Sequence, residues 1–247
     1  MSPERERTRA VLRRLVVLSG GALVRRRAAA RALGEVSETE ATQLLSELLE
    51  LAAARDDDAL EILPAFLRAL EEDGDVIPHL STLRRVAGLH QQDDVELLFA
   101  EGEAVRQYHV DAAARADARL FTLPLGVLKT RARLTRNPDE LSRLAVASNP
   151  SVVREVLRNS RLTEDLVVRI AARRPARPEP LVEIWRSTRW SIRPAVRRAL
   201  AFNPYLPPEV GVKIVPLLPR VDLEQLLESP GLHTSLRDLA STLLRTG

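Results

Sequence analysis

The chain contains no cysteine. Disulfides, thiolate zinc sites and cysteine nucleophiles are therefore excluded. Aromatic residues make up only 3% of it. The core must come from Leu, Val, Ile and Ala, and the apolar fraction of 45% is large enough to build one. Single-stranded nucleic acid is held on aromatic platforms, so the same scarcity argues against that ligand. Lysine is rare as well, with two residues against 35 arginines. Such a bias points to a GC-rich, bacterial genome and means that an arginine is not functional by its presence alone. The four histidines, His79, His90, His109 and His233, have no metal-ligand spacing.

Strand patterns are scarce too. The clearest apolar alternation, Val76-Ile77, is cut by Pro78. The longest apolar stretch near the N-terminus, Leu15 to Val24, has ten residues. A bilayer span takes roughly 20. Arg25, Arg26 and Arg27 follow at once and disfavour export. The expectation is a cytoplasmic protein without stable membrane insertion. No Lys-Ser/Thr pair follows Gly20-Gly21, no His-Glu-x-x-His helix is present, and no Ser/His/Asp set suggests itself. The sequence therefore implies no cofactor, no metal, no small-molecule substrate and no enzyme activity.

What is present is unevenly charged. Residues 1–34 carry net +7, residues 35–110 net −13 and residues 111–247 net +9. This suits either an acidic lobe on a basic one or a basic surface for an acidic partner. The run Glu71-Glu72-Asp73-Gly74-Asp75 reads as a solvated turn, because it lacks the alternate ligands and closing Glu of a calcium loop.

Helical spacing dominates. Ala41, Leu44, Leu45, Leu48, Leu49 and Ala52 mark one helix, and Leu60, Leu63, Leu67 and Leu70 another. Asp93-Asp94 signal a third. Beyond these, helices are expected near 125–135, 139–148, 151–158, 163–174, 178–187, 192–202, 207–218, 222–228 and 234–245. Asn137-Pro138, Asn149-Pro150 and Asn203-Pro204 are expected to stop helices. Thr163, with Glu164 and Asp165 behind it, should start one.

Residues 159–175 (NSRLTEDLVVRIAARRP) are restated 44 positions later in residues 203–219 (NPYLPPEVGVKIVPLLP). Asn159, Leu162, Val168, Ile170 and Pro175 become Asn203, Leu206, Val212, Ile214 and Pro219. The stripe Leu166, Val167, Ile170 and Ala171 has its counterpart in Val210, Ile214 and Val215. A helix of about 12 residues cannot bury such a stripe alone, whereas a stacked copy buries both. Half the period recurs between Asn137 and Asn159. The helix near 234–245 repeats the Val196-Arg197-x-x-Leu200 pattern as Leu236, Arg237 and Ala240, and is expected to cap the stack.

Over about residues 120–247 this pattern resembles the HEAT/armadillo-type α-solenoids. It is closer to the bacterial variant leucine-rich repeat modules, in which Asn-Pro breaks, a Thr/Pro–acidic helix start and a Val-Arg-x-x-(Ala/Val) helix recur. The resemblance implies an all-α solenoid of short stacked helices. An iron–sulfur cluster of the kind one variant-repeat protein carries on cysteines cannot transfer to a chain without cysteine. The expected domains are a helical N-terminal region, residues 1–115, basic and then acidic, and a repeat domain, residues 116–247.

Two basic positions keep the period: Arg154 with Arg198, and Arg169 with Lys213. Stacking would line them into one ridge for an acidic segment or nucleic acid; a solvated face of codon-biased arginines is the plainer alternative. Trp185 and Trp190 are the only tryptophans. With Glu183, Arg186 and Arg189 beside them they could stack on a damaged base, as in HEAT-like DNA glycosylases, or simply fill the core, since Trp190 matches Leu232 by spacing. The asparagines at repeat ends read as helix caps rather than as a peptide-gripping ladder. The resulting expectation is a non-catalytic scaffold or adaptor for an acidic protein partner. Nucleic-acid binding comes second, and a HEAT-like glycosylase third.

Overall fold

The computed structural model describes residues 3–18, 21–108, 123–145 and 149–246. Among them lie fifteen α-helices and one 3-10 turn, with no strand. Contacts divide the chain into two compact units. The first comprises Met1–Glu101, Val215–Pro230 and Thr234–Gly247; the second comprises Gly102–Ile214 and Gly231–His233. The units do not follow the boundary expected at 115/116. The last two helices pack with the N-terminal half of the chain.

The first unit contains α1 (Pro3–Val16), α2 (Gly21–Gly34), α3 (Glu38–Ala53), α4 (Asp57–Glu72), α5 (Leu80–Leu89), α6 (Asp93–Leu98), α14 (Arg220–Leu227) and α15 (Thr234–Thr246). Here the helical spacing of the sequence does what it should. Ala41, Leu44, Leu45, Leu48, Leu49 and Ala52 of α3 are all buried. In α4 the stripe is broader than four leucines. Ile62 and Phe66 are fully buried beside Leu63 and Leu67, and Leu60 is only half-buried. Each such side chain contributes about 1.5–3 kcal/mol by leaving water. Helix α15 does not cap a stack. Its Leu236, Leu239, Ala240 and Leu243 are buried, and it packs on α14, α6 and α3.

Local sequence sets the ends of these helices. Ser37 and Glu40 form a capping box at α3: Ser37 Oγ accepts from Glu40 N (3.3 Å), and Glu40 Oε2 accepts from Ser37 N (3.1 Å). At its other end Arg55 takes a left-handed φ of 64°. Asp56 N then donates to Leu51 O at 3.0 Å and Arg55 N to Ala52 O at 3.1 Å, a Schellman closure. Gln91 closes α5 in the same way at φ 56°. At Gly34 a Cβ would lie 2.5 Å from Val76 O, so only glycine lets the end of α2 approach that carbonyl. The acidic run at 71–75 is more than a solvated turn. Glu72 and Asp73 both hold Arg26 of α2, the latter at 2.8 Å, and Asp73 is buried.

The second unit contains α7 (Leu125–Leu134), α8 (Pro138–Leu144), α9 (Pro150–Arg158), α10 (Glu164–Ala172), α11 (Pro178–Arg186), α12 (Pro194–Ala201) and α13 (Pro208–Ile214). These are short helices, and α7 to α12 each pack on the helix two places away as well as on a neighbour in sequence. Thus α7, α9 and α11 form one row and α8, α10 and α12 the other, with α13 following on α12. Leu166, Val167, Ile170 and Ala171 are buried, as are Val210 and Ile214. Stacked short helices carrying repeated apolar stripes are therefore present. The period of 44, however, spans three helices, not one repeat of two. It carries α9 onto α12, a helix of the other row, and α10 onto α13, which packs on α12 and belongs to neither row.

The asparagines divide into two kinds. Asn137 and Asn149 do not stop helices. They start them, each Oδ1 accepting from the residue two places on, Asp139 N at 2.9 Å and Ser151 N at 3.0 Å. Proline at the first helical position suits this, because its missing N–H would have had no partner there. Asn159 and Asn203 are 2% exposed and reach across the unit. Asn159 Nδ2 donates to Ala132 O, Arg133 O and Thr135 O at 2.9, 3.1 and 3.0 Å, closing α7. Asn203 Nδ2 donates to Ala171 O and Arg173 O at 2.7 and 3.1 Å, closing α10. Each clamps the helix two places back in chain order. The half-period from Asn137 to Asn159 therefore joins two unrelated roles and is not structural.

Candidate basic interface

The second unit carries 21 basic against 11 acidic side chains, net +10, and the first unit carries net −7. Which of these cations can meet a partner depends on what they already hold. In the row of α7, α9 and α11 four of the five arginines are engaged, while Arg133 on α7 is exposed with no ion pair among the described residues. Arg131 pairs with Glu140 at 3.0 Å, and Arg158 with Glu155 at 3.4 Å. Arg154 grips Glu183 with two prongs, Nε to Oε2 at 2.7 Å and Nη2 to Oε1 at 3.1 Å. Arg186 stands 3.9 Å from the same carboxylate. The Glu183 side chain is only 4% exposed, so its charge needs this partner. The hydrogen bond to Glu183 pushes the Arg154 guanidinium further up. Arg154 thus ties α9 to α11.

The row of α8, α10 and α12 is different. Arg143 on α8, Arg169 on α10 and Arg173 just after it are exposed. None of the three has an ion pair among the described residues; Arg169 Nε meets only the Asp165 carbonyl, at 3.4 Å. Arg198 on α12 is exposed and lies over the Phe202 ring, 5.0 Å from its centroid. Arg197, next to it, is largely buried; it donates Nε to Ser191 O at 2.6 Å, and burial pushes its guanidinium down. Lys213 on α13 is half-buried and donates to Glu209 O at 3.0 Å. Of the four positions expected to form one ridge, then, Arg169 and Arg198 sit on contacting helices, Arg154 belongs to the other row, and Lys213 makes a local helix contact. Arg143 and Arg173 do not keep the 44-residue spacing, so the repeat gives no sign of them.

The tryptophans fill the core. Trp185 is 1% exposed and Trp190 3%. Trp190 Nε1 donates to Leu157 O at 2.8 Å, and Arg189 covers the ring at 4.3 Å while donating to Asn159 O and Leu162 O at 3.3 and 3.4 Å. Two buried rings, with the polar edge of Trp190 spent on the end of α9, offer no platform for a base. Glu183 is spent on Arg154. The stacking expectation is therefore corrected to packing.

No protein-family model matches the chain, and no curated protein or solved structure matches it. The residues must speak for themselves. Among those described, no three His, Asp or Glu side chains are grouped to hold a metal ion, and no helix is long and apolar enough to cross a membrane. A cleft of about 440 Å³ in the first unit lies between α5, α6 and α15. Arg84, Arg245, Asp93, Glu96 and Asp238 line it, so it presents no charge of one sign.

Proposed function

We propose that the protein is a non-catalytic, cytoplasmic interaction module that presents the helices α8, α10 and α12 to an acidic protein segment. The observation that supports this is the contrast between the rows. On one row Arg131, Arg154, Arg158 and Arg186 are spent on carboxylates and only Arg133 is not, whereas Arg143, Arg169 and Arg173 on the other are exposed and unpaired among the described residues. A rigid stack holding cations at fixed spacing is suited to an extended anionic segment. Arginine forks bind carboxylates bidentately, which adds geometry to charge. Kinship with the HEAT/armadillo or variant leucine-rich repeat solenoids is part of this proposal and rests on the repeated motifs and the stacked short helices.

The test uses two purified variants of the full chain, R143Q/R169Q/R173Q and R154Q/K213Q. A glutamate-rich peptide and a duplex DNA of equal charge serve as probes, with fluorescence anisotropy as the readout. The expected result is peptide binding that the first variant loses and the second keeps, with a shallow salt dependence. Tight DNA binding at physiological salt, lost in the first variant, would instead make the protein a nucleic-acid binder. Its log–log salt slope would be about −0.9 per phosphate contacted. Equal losses in both variants would restore a single four-residue ridge.

A further inference from the structure

We propose that the tip of the α1–α2 hairpin is a docking surface for an anionic lipid membrane. Helices α1 and α2 pack on each other, and Arg25 Nη2 of α2 donates to Val16 O, the last residue of α1, at 3.3 Å. This bond holds the end of one helix beside the start of the next. At that place Val17 is 81% exposed, Leu23 53% and Val24 42%. Three aliphatic side chains, at the end of one helix and in the first turn of the next, are thus left in water where the two helix ends meet.

The charges along this stretch of the chain are of one sign, and the carboxylates that reach it, Glu61, Glu72 and Asp73, are paired with Arg25 and Arg26. Residues 7–34 contain eight arginines and no acidic residue. Arg25 and Arg26 are used internally, on Glu61 at 2.6 Å and on Glu72 and Asp73. Arg13 and Arg14 in the last turn of α1, and Arg27 and Arg31 on α2, are exposed and have no ion pair among the described residues. An apolar tip flanked by unpaired arginines is the arrangement of interfacial membrane anchors: the aliphatic side chains enter the acyl boundary while the guanidinium groups meet lipid phosphates and carboxylates. Three side chains are too few for a stable protein interface, which covers about 800 Å² per partner. A membrane needs less apolar area because each arginine near an anionic surface adds about fivefold in affinity.

The full-length protein is mixed with two kinds of vesicle, phosphatidylcholine alone and phosphatidylcholine with about a third phosphatidylserine, and binding is read by sedimentation. Binding to the anionic vesicles only, weakened by salt, is expected. Substituting R13Q/R14Q/R27Q/R31Q should lower it by a factor on the order of 100 or more. The variant V17S/L23S/V24S should lower it by about tenfold or more, with an unchanged circular dichroism spectrum. The variant R143Q/R169Q/R173Q should bind vesicles as the parent does, so failure here is separable from failure of the interaction module. The proposal is overturned by absence of binding, by equal binding to neutral vesicles, or by a loss that follows the second unit's arginines alone. Sedimentation showing a dimer that V17S/L23S/V24S dissolves would give the tip to a second copy of the chain instead.

Discussion

The two units solve the same problem, a stack of helices, by different chemistry. Helices α1 to α4 run for 14 to 16 residues, whereas α7 to α13 run for 7 to 10. A helix leaves its last four carbonyls without internal partners whatever its length. In a 16-residue helix that is a small fraction, and local closures such as those at Ser37 and Arg55 deal with the ends. In a helix of 7 to 9 residues it is about half. The second unit therefore brings in donors from elsewhere: Asn159 for α7, Asn203 for α10, Trp190 and Arg189 for the end of α9. The first unit is held mainly by apolar area. The second is held by apolar area together with buried polar clamps.

The strongest test of that contrast is to empty the cores. Phe66→Ala in the first unit should cost about 3–5 kcal/mol. Ile170→Ala and Ile214→Ala in the second should cost about 2–5 kcal/mol each. Denaturant unfolding followed by far-UV circular dichroism reads both, and hydrogen exchange assigns each loss to its unit. An unchanged midpoint for either isoleucine would remove the basis for the repeated stripe.

The clamps should come next in size, and they separate asparagines that look alike in sequence. Asn159→Ala and Asn203→Ala each strand two or three carbonyls and should cost about 2–4 kcal/mol. Asn137→Ala and Asn149→Ala remove exposed caps and should cost about 1 kcal/mol each. Equal effects at all four positions would erase the distinction between clamp and cap.

A smaller loss is expected at the ion pair between α9 and α11. Arg154→Gln leaves Glu183 with only the distant Arg186, but Arg154 is 53% exposed, and solvent screens what is lost. The expected cost is about 1–2 kcal/mol. Arg169→Gln, with no carboxylate to abandon, should stay within about 0.5 kcal/mol. The same substitution on the two rows thus reports whether the arginines are internal or outward.

The smallest effect belongs to the first unit. Burial holds the Asp94 carboxyl above its ordinary value, with Ser46 Oγ, at 2.9 and 3.2 Å, and Val95 N partly offsetting this. Folded Asp94 binds its proton more tightly than the unfolded residue does. Stability therefore falls as pH rises from the ordinary carboxylate range through the raised value. Asp94→Asn keeps an acceptor for Ser46 and Val95 and removes the charge. The variant should melt slightly above the parent at neutral pH and level with it at about pH 2–3. A variant that melts lower at both pH values would show that the carboxylate is needed for its hydrogen bonds.

Much of this was legible in the residues, and the limits are instructive. Periodicity located α3 and α4, because a stripe that must be buried fixes both the helix and its inward face. Capping chemistry placed Thr163 at a helix start, and Thr163 Oγ1 accepts from Leu166 N there, at 3.4 Å. It read Asn137-Pro138 as an end when it is a beginning, since the same pair suits both sides of a break. Periodicity gathered four cations into one ridge because equal spacing suggests equal placement.

By itself, the sequence determined that the chain is helical, where most helices lie, which stripes go inward, and that cysteine chemistry is absent. These follow from local rules: propensity, capping and the 3.6-residue turn act within a few residues of each other. Only the tertiary structure decided which helix lies beside which. It placed α15 with α3 and α6, gave Asn159 and Asn203 their distant carbonyls, paired Arg154 with Glu183, and left Arg143, Arg169 and Arg173 outward. A 44-residue period is a distance along the chain. Here it crosses three helices, so it carries α9 onto α12, which packs in the other row, because rows are set by contacts and not by spacing.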